Sequence, residues 1–71
     1  MLISSNQYRT RLSNLCYQLR QQHDYLQSLL QMLSMMQNEE ALVLKSVFEK
    51  MLQDNTYQIQ YIQGILNNDL Y

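Results

Sequence analysis

The residues able to do chemistry are few. The 71-residue chain holds one cysteine, Cys16, one histidine, His23, and six carboxylates. Cys16 would need an adjacent base to act as a nucleophile, and Tyr17 and Arg20 do not supply one. It suits a helix seam instead, as a small apolar residue. His23 with a single carboxylate, Asp54, is two ligands short of a zinc site. A lone cysteine also excludes an internal disulfide framework. One glycine in the whole chain does not make a phosphate-cradling loop. Five Lys and Arg stand against six Asp and Glu, a formal charge of −1, so the basic footprint of a nucleic-acid binder is missing. We therefore expect no catalytic residues, no metal, no cofactor, no small-molecule substrate and no nucleic acid.

The elements that must position these residues are two helices. Proline is absent, 46% of residues are hydrophobic, and eleven are Gln. The first helix is expected over about residues 5–36. Ser4 is its expected N-cap, Gln7 completes a capping box, and Ile3 and Tyr8 form a hydrophobic staple. Its apolar stripe runs through Tyr8, Leu12, Leu15, Leu19, Leu26, Leu30 and Leu33. Leu12, Leu19, Leu26 and Leu33 recur every seven residues, as in the seam of a helix packed nearly parallel or antiparallel to another. A turn falls at about 37–38. Asn38 then caps a second helix over about 39–66, with Glu39 and Glu40 in its first turn, where carboxylates suit the helix dipole. The second stripe is Leu44, Val47, Phe48, Met51, Leu52, Ile59, Ile62, Ile65 and Leu66, and Asn67 and Asn68 are stop residues. Residues 56–63 include a strand-like alternation, Thr56-Tyr57-Gln58-Ile59-Gln60-Tyr61-Ile62. The seam continues through it and a lone strand would have no partner, so it is expected to be helical.

The fold class is thus all-α. The chain forms a single domain, residues 1–71: an antiparallel, coiled-coil-like two-helix hairpin. A turn near residue 38 places Leu33 with Leu44, Leu30 with Phe48, Leu26 with Met51, Leu19 with Ile59, Cys16 with Ile62, Leu12 with Leu66 and Tyr8 with Leu70. His23 falls opposite Asn55, beside Asp54. That is the pattern of a buried polar contact fixing register, with pH sensitivity of assembly as its possible consequence. The leucine heptad is not a DNA-binding zipper, because only Arg9 and Arg11 lie upstream of it.

A hairpin covers one stripe per helix, and this chain has more. Tyr25, Leu29, Met32 and Met36, joined by Met35, make a second stripe on the first helix. Val43 and Val47 flank the seam near the turn, and Tyr57, Tyr61 and Ile65 flank it near the C-terminus. Such surfaces mark association, with Met adapting to a partner's shape and Tyr tolerating water until binding. A chain this small, without disulfide or metal, is expected to be completed by a partner or by self-association. No stretch approaches the roughly 20 apolar residues of a membrane span, and the first residues do not read as a secretory signal. A cytoplasmic location without membrane insertion is expected.

The second arm, from Phe48-Glu49-Lys50-Met51-Leu52 to Ile59-Gln60-Tyr61-Ile62-Gln63-Gly64, resembles the C-terminal helix of the small co-chaperones of type III secretion. There an Ile/Tyr-rich run also ends in a Gly before a short polar tail. The sequence likeness covers about the last twenty-five residues. The first arm matches in length and pattern only, and the family has no strict motif. The resemblance implies a virulence-related cytoplasmic chaperone function. The hairpin would pair with a larger tetratricopeptide-like chaperone, and the two would hold the needle subunit monomeric before export. Needle subunits are hairpins too, but usually with a Pro-containing turn, which Gln37-Asn38 is not. The alternative reading is a small homodimeric four-helix bundle, structural or regulatory, of the kind phages and plasmids carry.

Overall fold

Both halves of the chain are rich in helix formers and free of proline, so each can run long without a break. A computed structural model describes residues 5–68, with only the backbone of Ser5 included. Two α-helices account for nearly all of it: α1, Ser5–Ser34, and α2, Glu39–Asn68, each of 30 residues. They pack against each other as an all-α antiparallel hairpin. The strand-like run at 56–63 is helical. The Ser4 cap, the Ile3–Tyr8 staple and the Tyr8–Leu70 pairing rest on residues outside the described ones.

The turn opens earlier than the sequence suggests and closes where expected, with α2 starting at Glu39. α1 ends at Ser34 rather than near residue 36, and α2 continues to Asn68 rather than ending near 66. The Met35 and Met36 amides donate to the Met32 and Leu33 carbonyls, both at 3.1 Å. These tighter i→i−3 bonds satisfy carbonyls that the end of an α-helix leaves unpaired. The Ser34 hydroxyl adds a bond to the Leu30 carbonyl at 2.8 Å. Asn38 is the N-cap of α2. Its Oδ1 accepts from the Ala41 amide at 2.7 Å, and its carbonyl accepts from the Leu42 amide at 3.2 Å. Glu39 and Glu40 follow in the first turn, where the dipole favours them.

The seam follows the heptad. On α1 the buried or half-buried row is Leu12, Cys16, Leu19, His23, Leu26, Leu30 and Leu33. On α2 it is Ala41, Lys45, Phe48, Leu52, Asn55, Ile59, Ile62 and Leu66. Both rows alternate three- and four-residue steps, the spacing of helices that wrap one another. Toward the open end Cys16, Ile59 and Ile62 form a buried cluster packed by Leu12, Leu19 and Leu66. This gathers all six residues of three expected pairs.

Two expected pairs fail near the turn. Leu44 and Met51 remain 45% and 41% exposed, so neither is the buried mate of Leu33 or Leu26. The next residues along, Lys45 and Leu52, take the seam positions, and Ala41 is buried beside them. Lys45 is tolerated because its aliphatic stem packs while its ammonium reaches water.

The result is long and thin, 52 × 18 × 18 Å, with a radius of gyration of 16.3 Å. A globular domain of this length would have about 11 Å. The hairpin exposes 6038 Å². A compact protein of its mass would expose about 4,700 Å². The two helices bury their shared seam and leave much apolar surface uncovered.

Candidate partner-binding face

The two edges of the hairpin differ in chemistry. Along one edge, Ser13, Tyr17 and Arg20 of α1 line a shallow groove with Gln63 and Asn67 of α2, floored by Cys16 and Leu66. It continues past Arg20, His23 and Asp24 on one side and Thr56, Gln60 and Gln63 on the other. Ser13, Arg20, Thr56 and Gln63 are the residues that follow seam positions at intervals of seven. In an antiparallel pair those rows share an edge, and here they do.

The rows that precede seam positions must then share the opposite edge. On α1 they are Tyr8, Leu15, Gln22 and Leu29, followed by Met36 just past its end, and on α2 Leu44, Met51, Gln58 and Ile65. This edge is apolar except at Gln22 and Gln58, near the middle of their helices. Tyr25 and Met32 on α1, and Val47 and Tyr61 on α2, stand one row further out on the same side and are exposed. The face therefore has two apolar stretches separated by a polar belt. The stretch near the turn holds Leu29, Met32, Met36, Leu44, Val47 and Met51. The stretch near the open end holds Tyr8, Leu15, Tyr61 and Ile65.

Seven of the nine residues expected from sequence fall on this face: Tyr25, Leu29, Met32, Met36, Val47, Tyr61 and Ile65. Leu29 and Ile65 are half-buried beside the seam, and the other five are exposed. Val43 and Tyr57 do not join them. Both are exposed on the back of α2, away from α1. Tyr57 does stack on Tyr61, with ring centroids 6.4 Å apart and planes at 22°. The sequence reading missed Tyr8, Leu15, Leu44 and Met51 as face residues, having counted them in the seam. The signal was available: starting the α2 heptad at Ala41 puts Leu44 and Met51 outside it.

The buried polar contact differs from expectation. Asn55, 3% exposed, donates its Nδ2 hydrogens to the Leu19 carbonyl at 2.9 Å and to Gln22 Oε1 at 3.3 Å. His23 is not its partner; His23 Nδ1 instead lies 3.9 Å from Asp24 Oδ1. Asn55 Oδ1 is buried without a hydrogen-bond partner. At the open end, Arg9 Nη2 donates to the Leu66 carbonyl at 3.2 Å, tying the two helices together.

Among the described residues no three of His, Cys, Asp and Glu gather where they could hold a metal ion. Among them, too, no helix is long and apolar enough to cross a membrane. The fold and face define a two-helix, coiled-coil-like hairpin with one unpartnered apolar edge. Comparison with protein-family models, curated proteins and solved structures returned no match.

Proposed function

We propose that this chain is a non-catalytic protein-interaction module that buries its apolar edge against helices of a partner. The observation that carries the reading is the asymmetry of the edges. One is lined mostly by Ser, Thr, Gln, Glu and Arg, with Tyr17 and Leu42 as its exposed apolar members, and the other by Leu, Met, Tyr and Ile on both sides of the Gln22–Gln58 belt. Exposed apolar surface of this extent is a feature of binding sites. The Met-rich stretch near the turn suits a helical groove, since unbranched thioether side chains adapt to irregular surfaces. In the form suggested by the likeness of the second arm, the module is a cytoplasmic co-chaperone. It docks on a larger tetratricopeptide-type chaperone in type III secretion needle assembly.

The test is co-expression with a tetratricopeptide-type needle chaperone from the same genome, followed by purification of the complex. A stoichiometric complex that Met32→Asp and Tyr61→Asp each weaken, with helicity retained, is the expected result. Failure to form a complex would remove the secretion reading. Edge substitutions that leave every association unchanged would remove the module reading itself.

A further inference from the structure

We infer that the apolar edge of the free protein is covered by a second copy of this chain, packed face to face about a two-fold axis. The inference rests on the interaction-module reading and names the occupant of the same face.

Area is the first argument. Two separate hairpins expose twice 6038 Å², about 12,100 Å². A compact protein of twice the mass exposes about 7,800 Å². The difference, about 4,300 Å², exceeds the roughly 2,000 Å² at which obligate homodimer interfaces begin. A pair of hairpins thus has ample surface to bury in a four-helix bundle.

The pattern along the face is the second argument. Gln22 and Gln58 lie near mid-length, with apolar residues toward both ends. A two-fold axis through the middle therefore brings belt to belt and apolar stretch to apolar stretch. Such self-complementarity is what an isologous interface requires.

The charged residues lie at the rim. Arg11, Glu40 and Asp54 stand in the outer rows that flank the apolar edge, and Gln22 and Gln58 are the polar residues of its inner rows. A polar rim around an apolar centre of Leu, Met and Ile is the anatomy of a buried interface.

The experiment is sedimentation equilibrium of the full chain and three variants, with helicity followed by circular dichroism. The wild type is expected to be a helical dimer. Leu15→Glu and Met51→Glu, both on the apolar edge, should each weaken the dimer by at least about tenfold, since a carboxylate is then desolvated at two symmetric points. Val43→Glu, on the back of α2, should leave association unchanged. All three positions are exposed, so the hairpin itself is not at risk. A folded monomer at all concentrations would overturn the inference and leave the module reading to the co-expression test. A dimer indifferent to Leu15→Glu and Met51→Glu, or one that Val43→Glu weakens as much, would overturn the face-to-face arrangement.

Discussion

Asn55 reaches across the hairpin and donates to the backbone carbonyl of Leu19 at 2.9 Å, while its own Oδ1 is buried without a partner. Half of this amide is used and half is desolvated without return. The used half ties one level of α2 to one level of α1. An apolar residue there would fit many registers, whereas a buried amide fits few. The contact is therefore a register device that carries a stability cost.

Replacing it separates the two effects. Asn55→Leu removes the unpaired oxygen and adds apolar burial. We expect a gain of about 1 kcal/mol, or about 4–8 °C in Tm for a domain this small. The gain should come with looser specificity, visible as mixed species in sedimentation. A lower Tm would show that the amide stabilises more than it costs.

The seam assignment is tested by two leucines of similar size. Leu26 is 3% exposed, and Leu26→Ala should cost about 2–5 kcal/mol. Leu44 lies at the edge, and Leu44→Ala should change the stability of the hairpin by less than about 1 kcal/mol. Urea denaturation at low protein concentration compares them without the contribution of association. Equal losses would return Leu44 to the seam.

The start of α2 depends on one side chain. Asn38→Ala removes the acceptor that holds the Ala41 amide at 2.7 Å and should cost about 1 kcal/mol. Asn38→Ser or Asn38→Asp should recover most of it, because both place an oxygen where the amide needs one. Thermal melts of the three variants would expose a cap that contributes nothing.

Gly64 lies inside α2, and a Cβ added there meets nothing within 4 Å. Its backbone is helical, so the only effect of Gly64→Ala is on propensity. The variant should be more stable by about 0.5–1 kcal/mol. A destabilised variant would mean that α2 approaches another surface closely at this point.

Local signals in the sequence were sufficient for much of the fold. The seven-residue spacing of Leu12, Leu19, Leu26 and Leu33 announces a helix with a seam, because 3.6-residue periodicity is a property of the segment itself. Asn38 with Glu39 and Glu40 marks the second start for the same reason: a cap needs only the next three amides. Most of the partner-binding face was also legible, since Tyr25, Leu29, Met32 and Met36 cannot share a seam already filled by Leu26, Leu30 and Leu33.

Tertiary structure decided how α2 is rotated about its axis. Leu44 and Lys45, or Met51 and Leu52, differ by 100° around a helix; hydrophobicity alone puts Leu44 inside in place of Lys45 and does not separate Met51 from Leu52. The helix turns as a rigid body, so its orientation is the best compromise over thirty residues. Burying Ala41, Phe48, Ile59 and Ile62 together brings Lys45 and Asn55 to the seam and leaves Leu44 and Met51 at the edge. No local window contains that sum. The choice of Leu19 over His23 as the mate of Asn55 has the same origin, because it depends on where α1 sits against α2. So does the gathering of Leu29, Met36, Leu44 and Met51 on one edge: only an antiparallel pairing makes two separate stripes into a single face.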